Sequence, residues 1–399
     1  MEGSNLCIAD MLLKGTETNE KVEGEGIMSA NTVAVRRGKH GLKIVIFVVE
    51  LLIIIAMLFI VWKVFQTTGK MEGPTFVDVK EEDIIINEPV KENPVDNSAP
   101  ILPDEPESKG YWNIALFGVD AFGVDGLAKG SRSDTIMIAS INMDNGEIKL
   151  VSVYRDTYLN RGNDTYGKCN AAYRANGGAQ AMSMLNMNMD LDITNFVTVG
   201  YHAIKECVDG LGGVWIDVDK GELKHINNYQ ISIIRDTDIP KSEYIEVKEA
   251  GYQLLNGLQA AAYCRIRYTD NDFKRAERQR EVLKAMEDQA KEMSITELTE
   301  LLPNVLKYVC TNIDEVDIWE LVKNINKYTI VDEGGFPTEE NRIVKTLGKT
   351  HGSCIVPLDL EENVVWLHEF LFEKEDYQVS DAVKEIDAKI QADAAPYLK

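Results

Sequence analysis

Three apolar runs of the sequence stop at a charge: Asp120 closes "IALFGVD", Asp134 stands just before "TIMIASI", and Arg155 and Asp156 follow "LVSVY". A strand that ends at a charge presents it at the rim of its sheet, where open α/β sheets bind ligands. If the first two strands are antiparallel neighbours, Asp120 and Asp134 share a rim, with Arg132 and Arg155 close by. Two carboxylates at one point repel unless a cation lies between them. Oxygen ligands without His or Cys suit a hard ion, Mg²⁺ or Mn²⁺ in its place, which completes its shell with water and substrate phosphate.

A second concentration of charge, "YCRIRYTDNDFKRAERQR" from Tyr263 to Arg280, carries six basic side chains against three acidic ones in a chain of net charge -23. Guanidinium groups bind phosphate oxygens as a bidentate fork and stay charged at any working pH. Asp272 suits the N-cap of a long helix on which Arg275, Arg278 and Gln279 share one face in the first turns, where the helix dipole also favours an anion. Arg265 and Arg267 alternate on an expected preceding strand and point the same way. The bland alternative is a solvated basic helix paired with its own acids, and it weighs most on Arg278 and Arg280. The simplest ligand that needs all these groups is a pyrophosphate bridged by a metal and ringed by arginine.

The elements that must position them read as α/β. "WNIALFGVD", "DTIMIASIN" and "EIKLVSVYR" are strands, the last two joined by a hairpin at Asn145-Gly146. Helices follow at "GGAQAMSMLNMNM" and "GYHAIKECVDGL", with strands at "TNFVTV" and "GVWIDVD". This interleaving predicts a layered α-β-α sandwich with a mixed central sheet. Met182, Met184, Met187 and Met189 either fill its core or form a deformable wall for a long apolar ligand.

Before this domain, residues 44–62 form nineteen residues with one charge, Glu50, long enough for a transmembrane helix. Arg36, Arg37, Lys39 and Lys43 precede it without an acid, so the positive-inside rule puts residues 1–43 in the cytoplasm and the rest outside. Residues 63–110 read as an acidic, Pro-rich linker: from Glu72 to Glu107 there are eleven acids, two bases and six prolines. The catalytic domain is expected over 111–373 and a peripheral C-terminal helix over 374–399.

Other chemistries lack their residues. The acidic balance argues against nucleic acid. The five histidines show no zinc spacing, "LGKTHG" has Ile343 where a phosphate loop needs its first glycine, and no G-x-S-x-G elbow occurs. Cys169, Cys207 and Cys264 read as buried apolar residues, while Cys310 and Cys354 are a candidate disulfide.

In this order "NIALFGVD", "SRSDTIMIASIN", "VYRDTYL", "KCNAAY", "VDGLGGV", "LNGLQAAAYCRIR" and "DNDFKRAERQR" resemble the LytR-CpsA-Psr family of cell-wall glycopolymer ligases, from about Asn113 to Leu283 and more weakly to about Phe372. The resemblance implies a Mg²⁺ site at Asp120 and Asp134, and pyrophosphate binding by Arg132, Arg155, Arg265, Arg267, Arg275 and Gln279. Lys168 and Asp272 match positions near the phosphates. It also implies an α/β sandwich with a hydrophobic tunnel for a polyprenyl chain, which would give the Met-bearing helix a purpose. Tyr154 stands where the family commonly has Pro, and Cys169 where it has an aliphatic residue.

The implied reaction moves a phospho-glycopolymer from a polyprenyl-pyrophosphate carrier to a peptidoglycan hydroxyl at the bilayer surface, outside a Gram-positive-type bacterium's cell membrane. Arg155 is the residue expected to be indispensable, and Asp156 or Asp272 would take the acceptor's proton. Two rivals share the site: a polyprenyl-pyrophosphate hydrolase, and a sensor or transcription attenuator that binds envelope precursors without chemistry.

Overall fold

The central strands are buried along most of their length, on both faces of the sheet. A computed structural model of the protein describes residues 75–92, 110–120, 127, 130–267 and 272–398. The sheet contains β1 (Thr75–Phe76), β2 (Tyr111–Val119), β3 (Ser133–Asn142), β4 (Glu147–Val153), β7 (Asn195–Val199), β10 (Val309–Thr311) and β11 (Thr329–Phe336). Their order is β1-β10-β7-β2-β3-β4-β11, and the pairing is mixed: β7 lies parallel to β2, while β3 is antiparallel to both β2 and β4. Three two-stranded ribbons complete the strands: β5 (Tyr158–Asn160) with β6 (Tyr166–Lys168), β8 (Val214–Val218) with β9 (Gly251–Leu255), and β12 (Arg342–Thr346) with β13 (Ser353–Pro357).

The expected β3–β4 hairpin forms. Asn142 accepts from the backbone N–H of Asp144 and Asn145, and Gly146 turns at φ +78°. A Cβ there would lie 2.0 Å from the carbonyl oxygen of Lys327, so only glycine fits.

Helices cover both faces, as the layered sandwich requires. Ala115, Phe117, Ile136, Ile138 and Phe196 point into the main core. That side is closed by α1 (Ala171–Met189), α8 (Leu360–Phe372) and α9 (Asp381–Ala394), whose Met182, Leu367 and Ile386 join the same cluster. The opposite parity, Leu116 and Val197 among it, packs against smaller clusters under α2 (Tyr201–Gly210), α6 (Ile295–Leu306) and α7 (Glu315–Lys323). Beside them, α3 (Leu223–Asp236), α4 (Gly257–Tyr263), α5 (Asp272–Glu292) and the β8–β9 ribbon share a cluster of their own.

Three expectations change. Part of the acidic linker is folded: β1 pairs with β10, and Ile84 and Val90 are buried in the main core, because apolar positions recur between the charges. The C-terminal helix is not peripheral, since Val383, Ile386, Ile390 and Ala394 are all core residues. Cys310 and Cys354 are free thiols, on strands of different sheets. Of the two readings of the methionines, the core holds: Met182, Met184 and Met189 are wholly buried on α1. Among the described residues no helix is long and apolar enough to cross a membrane; the span expected at 44–62 lies outside them.

Candidate functional site

Strand direction brings the first carboxylates together. β2 ends at Val119 and β3 begins opposite it, Val119 pairing with Ser133 and Gly118 with Thr135. The register therefore skips Asp134, which is the extra residue of a bulge. Bulges re-aim side chains next to binding sites, and Asp134 lines the same cavity as Asp120. Because β4 returns antiparallel to β3, Arg155 arrives at this rim too, with its Nη1 2.6 Å from Asp134 Oδ1.

Asp272, first residue of α5, collects the guanidinium groups. Its Oδ1 lies 2.7 Å from Arg275 Nη2, 3.6 Å from Arg155 Nε and 3.9 Å from Arg267 Nε. Burial raises the Asp272 pKa, and the arginines only partly oppose it. Burial lowers that of Arg275, with Asp272 opposing. Arg155 is desolvated as well, yet Asp134, Asp272 and Asp156 outweigh burial and its pKa rises. Arg275 Nη2 also donates to the Asp134 carbonyl at 2.8 Å, tying the start of α5 to the bulge.

Arg265 and Arg267 follow α4 in an irregular segment rather than on the expected strand. Their alternation survives nonetheless: Ile266 between them is buried, and both arginines line the cavity. Gln279 Nε2 holds this segment by donating to the Cys264 carbonyl at 3.3 Å. Arg265 Nη2 lies 3.6 Å from Asp120 Oδ2, and its guanidinium sits 4.7 Å and 5.3 Å from the ring centroids of Tyr201 and Tyr229. The sequence reading missed Tyr201. Its hydroxyl donates to Asp120, and burial, with the Asp120 charge, pushes its pKa far up. Its signal was available: Tyr201 follows the end of β7, which runs parallel to β2 and so reaches the same rim.

Other expected residues stand further off. Lys168 Nζ pairs with Asp156 Oδ1 at 3.1 Å. Arg132 is exposed and makes no ion pair among the described residues. Arg278 does not share the cavity face with Arg275 and Gln279; it is buried against Glu222 at 2.6 Å. Arg280 bonds Ser152 Oγ at 2.7 Å. Neither is the solvated residue of the bland alternative.

The cavity measures about 470 Å³ and changes character along its length. On α5 the lining residues Arg275, Gln279, Leu283 and Met286 follow one face from charged to apolar, a rise of about 16 Å. On β2 the lining runs from Asp120 to Leu116, about 13 Å inward. At the charged end Arg265 Nη1 and Arg275 Nε, and beside Asp134 Arg155 Nε, are buried and have no hydrogen-bond acceptor among the described residues. Three unmet guanidinium donors call for oxygen acceptors from a ligand. The Cys207 and Cys264 thiols in the wall are pushed up to about 12 by burial and are inert.

The donor set also bears on a metal. No group of three or more His, Cys, Asp or Glu side chains able to hold an ion occurs among the described residues. Asp120 and Asp134, on one cavity, are what Mg²⁺ needs when substrate and water complete its shell.

Comparison with known proteins follows this geometry. A model of the LytR_cpsA_psr family matches residues 58–347. The polyisoprenyl-teichoic acid–peptidoglycan teichoic acid transferase TagV of Bacillus subtilis (strain 168) is 29% identical over 211 residues, 51% of this chain and 50% of that protein. The transferase of the same description named TagU, from Enterococcus faecalis (strain ATCC 700802 / V583), is 31% identical over 182 residues, 45% of this chain and 54% of its own. The chain thus spans about half the length of these curated relatives. The crystal structure of B. subtilis TagV superposes with a TM-score of 0.52 at 25% identity, covering 66% of this chain and 98% of that one.

Proposed function

The chain belongs to the LytR_cpsA_psr family, and from that membership we propose that it is a membrane-anchored phosphotransferase. It moves a phospho-glycopolymer from a polyprenyl-pyrophosphate carrier to a hydroxyl of peptidoglycan and releases polyprenyl monophosphate. The observation that carries this reading is the graded cavity, whose apolar depth suits a prenyl chain and whose arginine end suits a pyrophosphate.

Arg265, Arg267 and Arg275 bind the phosphate oxygens, with Arg155 beside the phosphorus under attack. The carboxylate of Asp272 keeps three of these guanidinium groups aimed together, which preorganises positive charge for the transition state. The acceptor hydroxyl attacks in line and the bond to the bridging oxygen breaks, leaving a prenyl monophosphate. Asp156, paired with Lys168 rather than buried among arginines, accepts the hydroxyl proton. Mg²⁺ held by Asp120 and Asp134 would add charge neutralisation on the pyrophosphate. The apolar wall keeps the prenyl chain out of water, so the tail supplies binding energy that fixes the head.

The same reading places residues 1–43 in the cytoplasm and the domain outside, where a lipid carrier reaches it from the bilayer. The test incubates the full chain with a short-chain polyprenyl-pyrophosphate saccharide, a peptidoglycan oligomer and Mg²⁺, followed by mass spectrometry. A phosphodiester-linked product with equimolar prenyl monophosphate is expected, and lost on chelation. Monophosphate release at the same rate without any linked product would favour the hydrolase instead. Tight lipid binding with no turnover would favour the sensor.

A further inference from the structure

A second cavity, of about 440 Å³, lies between the β5–β6 ribbon and the C-terminal helix. Its lining is aromatic and polar together: Tyr158, Tyr166 and Tyr397 with His351, Lys389 and Asp393. The Tyr158 and Tyr166 rings are 6.4 Å apart at 35°, and His351 meets Tyr158 edge-on at 5.1 Å. Tyr158 donates to Asp393 Oδ2 at 3.0 Å, Lys389 pairs with the other oxygen of Asp393, and Lys389 Nζ also lies 5.2 Å from the Tyr166 ring centroid. Tyr397 closes one side by packing on Gly348, where φ is +65° and a Cβ would come within 2.9 Å of the tyrosine hydroxyl.

We propose that this cavity is a saccharide subsite, holding a pyranose ring of the glycan that enters or leaves the phosphate site. A pyranose presents C–H faces, which suit the negative faces of aromatic rings, and hydroxyls around its edge, which suit a mixed rim of donors and acceptors. The rim is not built for phosphate: one lysine stands against two carboxylates, Asp164 and Asp393. The position fits as well. Tyr158 pairs across the ribbon with Lys168, whose ammonium holds Asp156. Tyr158 is three residues from Arg155, hence within about 11 Å along the backbone. His351, Lys389, Asp393 and Tyr397 all lie beyond residue 347, where the family match ends. The subsite is therefore built jointly by residues inside the matched region and residues beyond it.

The inference rests on the transferase reading for the identity of its ligand, and its test is arranged to fail separately. The full chain in detergent, without donor lipid or metal, is titrated by calorimetry with chitotetraose, a neutral acceptor-like glycan. A second titration uses the delipidated saccharide of the donor. Binding of either is expected, weakened about tenfold by Tyr166→Ala or Tyr397→Ala and kept by Tyr166→Phe and Tyr397→Phe, with thermal unfolding unchanged in Tyr397→Ala. Preference for chitotetraose assigns the subsite to the acceptor; preference for the donor saccharide assigns it to the transferred polymer. Absence of binding by both, or binding indifferent to both alanine variants, overturns the inference whatever the transfer assay gives. Saccharide binding as expected in a chain that transfers nothing would instead count against the proposed function alone.

Discussion

Asp272 illustrates how one carboxylate can organise several cations. Its single oxygen Oδ1 faces Arg155, Arg267 and Arg275, so the carboxylate costs desolvation and returns alignment of three cations. Arg155 is different: it sits at the sheet rim against Asp134 and belongs to none of the apolar clusters of the described residues. Arg155→Ala should lower transfer by about a hundredfold or more and leave the thermal unfolding midpoint near that of the parent; full turnover in a folded variant would refute the assignment. Asp156→Asn should lower the transfer rate while donor affinity holds, whereas Asp272→Asn should weaken donor binding, as read by equilibrium titration beside single-turnover rates. The sequence disclosed most of these residues, because a charge that ends an apolar run and a basic cluster in an acidic chain are local signals. It did not disclose Tyr201, whose role depends on β7 lying beside β2. Nor did helical spacing say that Arg278 turns to Glu222, a residue contributed by a different part of the fold.

Elements supply direction. The bulge at Asp134, the irregular segment after α4 and the first turn of α5 converge on one end of a cavity whose other end is sheet and helix packing. The charged-to-apolar face of α5 is present in the sequence at Arg275, Gln279, Leu283 and Met286, but the density of charge in its first turns masks the apolar continuation. For the methionines of α1 the sequence left core and ligand wall both open. Strand parity decides for the core, since it assigns α1 to the other face of the sheet, where Met182 is fully buried. Two substitutions separate these roles. Met182→Ala should cost about 2–5 kcal/mol of stability and leave the preference for prenyl length unchanged. Met286→Trp should reduce kcat/KM for long-chain donors by about tenfold or more and spare short ones. Equal loss for all lengths in Met286→Trp would argue that this cavity does not hold the chain.

The whole domain is fastened by contacts between distant parts of the chain. Asp190, at the left-handed end of α1, accepts from Asn87 at 2.5 Å and from the backbone N–H and hydroxyl of Ser380 at 2.7 and 2.6 Å. Beside it, buried His368 donates to the Met189 carbonyl at 2.9 Å and stacks on Tyr377 at 3.5 Å. Composition hid this: the stretch that holds Asn87 reads as linker by charge, and the segment after 373 lacks any motif. Burial depresses the His368 pKa from 6.5 to about 4. The unfolded chain therefore takes up the proton first, so this stability is complete above about pH 6.5. It is lost as pH falls towards about 4, by up to about 3 kcal/mol. His368→Gln should flatten that slope in denaturant midpoints measured across the window, and an unchanged slope would assign it elsewhere. The central claim is that one site reads a prenyl tail and a pyrophosphate together. It is tested most directly by equilibrium binding of a polyprenyl pyrophosphate, the matching polyprenol and free pyrophosphate to the full chain and to Arg275→Ala. The account predicts that the lipid pyrophosphate binds far more tightly than either fragment and that Arg275→Ala erases most of the advantage. A polyprenol that binds as tightly as its pyrophosphate, or an advantage that survives the substitution, would contradict it.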